Sequence, residues 1–366
     1  MYLQSLSLVN FKNIEEAEIS FSPRINCFVG NNGVGKTNLL DAIHYLCLCK
    51  SYFNPVDTQN IRHDQDFAMI QGSFSMKDRT DEVLCSIHHN RSKIFKRNKK
   101  EYERLAQHIG LFPVVMISPE DTALIIEGSE ERRKFLNSVI SQYDKGYLED
   151  MIHYNKLLAQ RNRLLKDFSN LRRFDEDMLG VYDEQMLPVA WRIFNHRSEF
   201  TEKMIPIFRH YYHSIAPDNE IVELYYQSQL KDQDFNLLLK NSREKDRVMQ
   251  YTTHGIHKDD LILKLNAHPL KKTGSQGQQK TFLVTLKLAQ FDFIRDMNKA
   301  RPILLLDDVF DKFDESRVRQ IIRLVSDKHF GQIFITHTDE GKMQSILEEM
   351  ATDFKLFHIA DGRIHH

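Results

Sequence analysis

Neither sign of charge prevails in this sequence. Its 50 Lys and Arg residues stand against 51 Asp and Glu, a net charge of −1. That excludes a global basic field, so any nucleic-acid binding must come from local patches. Cysteine is scarce, with four in 366 residues. Cys47 and Cys49 fall in the apolar end of a helix-patterned stretch, where buried small hydrophobes are expected. No second Cys/His pair at zinc spacing follows them. No apolar run is long enough to span a bilayer. The start, Met1-Tyr2-Leu3-Gln4-Ser5-Leu6, lacks the charged and apolar regions of a secretory signal. We therefore expect a soluble, cytoplasmic protein without a membrane partner. What is present suffices for a full core: 41% of residues are hydrophobic, and the length allows two domains.

One stretch organises the rest. Gly30-Asn31-Asn32-Gly33-Val34-Gly35-Lys36-Thr37 fits G-x-x-x-x-G-K-[ST] at every fixed position. Ile25-Asn26-Cys27-Phe28-Val29 before it reads as a buried strand, and Asn38 to Leu46 after it has apolar residues at helical spacing. Strand, glycine loop and helix make a phosphate site: backbone N–H groups converge, and the helix N-terminus adds its positive dipole end. Lys36 would reach the β- and γ-phosphates of a nucleotide, and Thr37 would ligate Mg²⁺.

Around this loop the chain changes character. Residues 2–29 read as strands, with Phe11-Lys12-Asn13 in a turn between two of them. Lys12 there suits either an approach to bound phosphate or plain solvation. Residues 67–76 and 82–88 alternate as further strands. Residues 91–100 carry six basic side chains and no acidic one. They suit phosphate-backbone contacts to DNA, but a solvated hairpin is the usual reason for such a run. Residues 120–250 are mostly helical. Tyr147, Met151, Tyr154, Leu158 and Leu165 form a bundle seam. Lys156, Arg161, Arg163, Lys166, Arg172 and Arg173 give a second basic stretch on and beside it, which could touch nucleic acid, though a charged helix face is the usual explanation. Pro188 and the run through Trp191 read as the return helix of a compact inserted lobe. We expect an α/β fold with a mixed β-sheet core and this lobe inserted, divided at 1–118, 119–252 and 253–366.

The last third supplies the complement of the glycine loop. Ile303-Leu304-Leu305-Leu306-Asp307-Asp308 suits a central parallel strand that delivers carboxylates at its C-terminal end. Asp307 can join the Mg²⁺ shell, and Asp308 can orient and partly deprotonate an attacking water. Ser275-Gln276-Gly277-Gln278-Gln279 opens another helix, whose amides also seek an anion. One triphosphate does not need two such sites in one chain. The economical answer is two chains, with the second site covering the γ-phosphate held by the partner. Ile333-Phe334-Ile335-Thr336-His337 delivers His337 at a strand end, within reach of the γ-phosphate or the water.

This ordered set resembles ABC-type ATPases of the SMC kind, and over nearly its full length the chain resembles the RecF family of bacterial recombination mediators. The most specific marks are Phe11-Lys12-Asn13, Ser118-Pro119-Glu120-Asp121, Gln160-Arg161-Asn162, His257-Lys258-Asp259-Asp260-Leu261 and Gly274 to Gln279. The resemblance implies an ABC-type ATPase head with these site residues. Gly30 to Asn38 and Lys12 would bind ATP, with Lys36, Asp308 and His337 catalytic. Thr37 and Asp307 would hold Mg²⁺, and Ser275, Gln276, Gly277 and Gln278 would be a signature motif acting in trans. Asp311-Lys312-Phe313-Asp314 stands where the D-loop falls, and Glu120 is the candidate Q-loop residue. It also implies an ATP-dependent homodimer on double-stranded and gapped DNA that hydrolyses ATP weakly. Working with RecR and RecO, it would help load the recombinase. The alternatives from other classes are an SMC-like ATPase of a defence system and a nucleotide-gated DNA scaffold with negligible turnover.

Overall fold

The structure is a computed structural model that describes residues 1–77, 79–216, 220–310, 315–326, 329–349, 353–360 and 362–365. The expected D-loop, Asp311 to Asp314, lies outside the described residues. In chain order the first elements are β1 (Tyr2–Phe11), β2 (Ile14–Ser20), β3 (Ile25–Val29), α1 (Lys36–Leu48), β4 (Phe67–Ser75) and β5 (Thr80–His88). They are followed by β6 (Ile94–Arg97), β7 (Lys100–Glu101) and β8 (Val114–Ile117). The middle of the chain holds α2 (Ala123–Ile126), α3 (Ser129–Ser141), α4 (Lys145–Leu171), α5 (Glu176–Ile215), β9 (Val222–Gln227) and α6 (Phe235–Met249). Next come β10 (Asp260–Leu265), β11 (His268–Pro269), α7 (Leu270–Thr273) and α8 (Gln276–Asn298). The chain closes with β12 (Ile303–Leu306), α9 (Glu315–Ser326), β13 (Ile333–His337), α10 (Glu340–Glu349), β14 (Phe354–Ala360) and β15 (Arg363–His365).

Two units share these elements: Met1–Asp121 with Leu283–His366, and Thr122–Phe282. The second boundary falls beyond residue 252, where the sequence suggests one. The reason is pairing across that position: β9 and β10 form one antiparallel ladder, so the lobe carries its own sheet, ordered β11-β10-β9.

The first unit is built on two sheets. One is antiparallel, ordered β2-β1-β4-β5-β6-β7, and the other is ordered β15-β14-β3-β13-β12-β8. In the second sheet β3 pairs in parallel with both β13 and β14, and β12 pairs in parallel with β13 and β8. Strands β3, β8, β12 and β13 are buried at every residue. Continuous apolar runs such as Ile303 to Leu306 are what a parallel strand covered on both faces requires. Helix α1 touches strands of both sheets and is buried at every residue from Leu39 to Leu48. A helix buried on every side belongs inside a core rather than on it. Cys47 and Cys49 lie in that core as free buried thiols.

The second unit is held by α4 and α5, with α3 and α6 packed on them. Asp144, Asp175 and Asp234 cap α4, α5 and α6 by accepting the backbone N–H groups of Tyr147, Met178 and Leu237. The return helix does not start at Pro188. It begins at Glu176 and runs through both Pro188 and Pro206. Each proline removes one helix bond, and the buried face, including Met186, Val189, Ile193, Phe200 and Phe208, keeps the helix in register across them. The seam on α4 uses Leu157 rather than Leu158, and it includes Arg161, which is wholly buried.

Candidate functional site

The glycine loop is the turn between β3 and α1. Gly30, Gly33 and Gly35 have φ of +153°, +83° and +112°, a region where a side chain is strained. A Cβ on Gly30 would overlap the Ile359 carbonyl oxygen, and one on Gly35 would come within 2.8 Å of Asn13 Oδ1. Asn13 clamps the loop from outside. Its Nδ2 donates to the Val34 carbonyl at 3.1 Å, and its Oδ1 accepts from Asn38 Nδ2 at 2.7 Å. Lys36 is buried, with its ammonium donating to the carbonyls of Gly30 at 2.8 Å and Asn31 at 2.9 Å. The charge sits in the mouth of the loop, where a polyphosphate would compete for it.

Thr37 closes the site onto the far end of the chain. Its hydroxyl donates to Asp307 Oδ1 at 2.8 Å, across 270 residues. Asp307 follows β12 and is buried, and burial pushes its carboxyl up to about 6 despite the hydroxyls of Thr37 and Thr336. Thr336 Oγ1 stands 3.0 Å from Asp307 Oδ1 and 3.3 Å from Asp308 Oδ1, and it accepts the Asp308 N–H at 2.8 Å. Asp308 has φ +43°, a costly setting for a non-glycine residue that is found where a side chain must be aimed. His337 ends β13. Its Nδ1 accepts the Asp339 N–H at 2.8 Å, so a neutral ring carries its proton on Nε2.

A cavity of about 680 Å³ opens beside Thr37, Asp307 and Asp308, while Lys36, Thr336 and His337 are not among its lining residues. Lys12, Asn13, Thr37, Asn38, Asp307, Asp308 and Glu120 line it, with Phe53, Asn54, Gln59 and His63 along another stretch of wall. Thus one cavity gathers the lysine turn, the end of the glycine loop, the two-acid strand end and the candidate Q-loop residue. The oxygens of Thr37 and Asp307 suit a hard cation that keeps several waters and completes its shell from substrate phosphates. No group of three or more His, Cys, Asp or Glu side chains fit for a metal occurs among the described residues.

The chain matches the family description "RecF/RecN/SMC N terminal domain" over residues 2–360. It is 49% identical to the DNA replication and repair protein RecF of Phocaeicola vulgatus, covering 100% of this chain and 98% of that protein. Against the protein of the same name from Bacteroides thetaiotaomicron the identity is 50%, with the same coverage. The chain belongs to the RecF family. Among solved structures it is similar to the recombination mediator protein RecF–ATP of the RecFOR pathway. That likeness has a TM-score of 0.89 at 28% identity and covers 100% of this chain and 97% of that one. An Smc head from Pyrococcus furiosus matches at TM-score 0.57 and 17% identity over 99% and 95% of the two chains, a likeness of fold. The fold is therefore the α/β, ABC-type P-loop ATPase head of the RecF family, with an inserted helical lobe.

The RecF-family marks now divide into two kinds. Lys12 does line the cavity, but its ammonium lies 2.6 Å from buried Asp41. Ser118 to Asp121 form a tight turn in which Asp121 Oδ2 accepts the Ser118 N–H at 2.9 Å. Asp121 also pairs with Lys287 of α8 at 2.6 Å and accepts from the Tyr52 hydroxyl. In the other unit, Ser275 and Gln278 cap α8 reciprocally: Ser275 N–H donates to Gln278 Oε1 at 2.8 Å, and Gln278 N–H to Ser275 Oγ at 3.2 Å. This capping box fixes the helix start and leaves Ser275 and Gln276 exposed.

Two marks turn out to be internal supports. Arg161 donates to Asp183, Asp246 and Thr252 at 2.7–2.8 Å, so it is no part of a nucleic-acid surface. Asn162 takes the N–H and hydroxyl of Thr252, and His257 bonds Tyr154 and the Thr252 carbonyl. Burial holds His257 down at about 4, neutral at physiological pH. Asp259 pairs with buried Arg197, and Asp260 with Arg132. Sequence reasoning missed Asn13, Asp41 and Thr336 as site residues. Each lies inside a stretch the sequence marks, but only the folded contacts distinguish it from its neighbours.

Proposed function

We propose that this chain is an ATP-dependent DNA-binding protein of recombinational repair that hydrolyses ATP weakly, with DNA as stimulant. The observation that carries the reading is the contact of Thr37 with Asp307, which joins the glycine loop to the two-acid strand end at one cavity. Gly30 to Asn38 hold the phosphates through loop amides, with Lys36 exchanging its carbonyl partners for phosphate oxygens. Mg²⁺ at Thr37 and Asp307 supplies charge neutralisation when bound. Asp308 orients and deprotonates the attacking water, and Thr336 fixes both acids. His337 donates from Nε2 to the γ-phosphate and does not act as the base. Ser275, Gln276, Gly277 and Gln278 reach the nucleotide of a second copy, so ATP makes a homodimer. Membership of the family and the likeness to a RecFOR-pathway mediator support double-stranded and gapped DNA, RecR and RecO as partners.

Sedimentation tests this directly. ATP with Mg²⁺ is expected to shift the protein from monomer to dimer, more strongly with gapped duplex present, while ADP does not. Ser275→Arg should bind ATP and remain monomeric, and Asp308→Asn should bind ATP and persist as a dimer. A wild type that stays monomeric with ATP and DNA together would remove the dimer mechanism.

A further inference from the structure

Asp41 lies on α1, one helical turn beyond Thr37, and is wholly buried. Its carboxylate accepts three close contacts. Lys12 Nζ and Ser51 Oγ each lie 2.6 Å from Oδ2, and the Tyr52 N–H lies 2.6 Å from Oδ1. Two of these partners, Lys12 and Ser51, lead to the cavity. Lys12 lines it, its ammonium 5.3 Å from the centre of the Phe53 ring and 5.7 Å from that of Phe11. Ser51 Oγ accepts the N–H groups of Phe53 at 3.2 Å and Asn54 at 2.9 Å, and those two residues also line the cavity. A carboxylate taken fully out of water is costly unless paired. A plain tie between a helix and a loop does not need that charge, whereas an ammonium held at a phosphate-binding wall does. One N–H of Lys12 serves Asp41, and an ammonium has two more to offer.

We propose that Asp41 is a positioning residue for the nucleotide: it holds the Lys12 ammonium at the cavity and folds the Ser51–Asn54 wall around it. The inference rests on the reading of the cavity as an ATP site. Asp41 acts from α1, the helix that the phosphate loop opens, so loop, lysine and wall share one anchor. Lys12 then serves phosphate only while the Asp41 carboxylate holds it in place. Ser51 serves the wall whichever phosphates are present.

Affinity for a fluorescent ATP analogue with Mg²⁺ tests this in wild type, Lys12→Met, Asp41→Asn and the double variant. Each single change is expected to weaken binding about tenfold or more. The double variant should be no weaker than the worse single, because both changes remove the same device. Multiplying fold-losses would overturn the proposal, as would Asp41→Asn binding like wild type with a lower melting temperature. Should Asp41→Asn fail to fold, Ser51→Ala decides, since it keeps the ion pair. It should weaken ATP and AMP by the same factor, while Lys12→Met weakens ATP more than AMP. Ser51→Ala with unchanged affinity for both nucleotides overturns the proposal. A wild type that binds no ATP sinks the ATP reading and the proposal with it, whereas wild-type binding that Asp41→Asn leaves intact sinks the proposal alone.

Discussion

Asp307 shows what the site costs the fold. Its carboxyl titrates at about 6 against an ordinary 3.8, chiefly through burial. The folded chain thus binds this proton more tightly than the unfolded chain does. Stability falls as pH rises through the window between those values, and above pH 6 the whole cost is present. A carboxyl raised that far costs the folded state roughly 3 kcal/mol when ionised. Asp307→Asn keeps an oxygen for Thr37 and Thr336 and removes the charge. In chemical denaturation without nucleotide, the variant should match wild type near pH 4 and exceed it by up to about 3 kcal/mol at pH 7.5. It should at the same time lose Mg²⁺-dependent ATP binding. An equal stability difference at both pH values would show that the carboxyl is not raised.

At the scale of elements, the helical unit depends on charge in its interior. Arg161 of α4 reaches Asp183 of α5 and Asp246 of α6, and all three are buried. Arg161→Met would leave buried Asp246 without its cation and Asp183 with Arg243 alone, at 3.2 Å, a destabilisation of about 3–5 kcal/mol. Denaturant unfolding should report that change, while DNA affinity measured well below the melting temperature stays unchanged. A drop in affinity without a drop in stability would return Arg161 to the DNA surface. The sequence pattern could not place this residue. Helical spacing marks Tyr147, Met151 and Tyr154 as seam, but the acids that bury Arg161 lie 22 and 85 residues away. The same limit explains Leu158, chosen by spacing where Leu157 is buried. The strands and phosphate loop were legible because their signals are local. Ile25 to Val29, Ile303 to Leu306 and the glycine loop each carry an apolar run or a fixed pattern within a few residues. Asp41 and Thr336 had no such signal, since their roles depend on Lys12, Ser51, Asp307 and Asp308 meeting in the fold.

For the whole molecule, a net charge of −1 means that DNA is not drawn in by a long-range field, and affinity must rest on a few local cations. The basic hairpin around β6 and β7 is less basic than its sequence. Lys93 pairs with Asp57 and Arg97 with Asp81, and Lys96 stands opposite Glu101 in the ladder. Arg91, Lys99 and Lys100 are exposed and make no ion pair among the described residues. If this hairpin is the DNA face, those three carry it. Changing all three to Gln should flatten the log–log dependence of duplex affinity on salt by roughly three units, about 0.9 for each phosphate no longer neutralised. Changing Lys93 and Arg97 instead should lower stability and leave that slope near the wild-type value, because their charge is already committed to Asp57 and Asp81. A triple variant with the wild-type slope would rule the hairpin out. The candidates left would be Lys156, Arg163, Lys166, Arg172 and Arg173 in the helical unit, where the same measurement can be repeated, and a surface made only in a dimer.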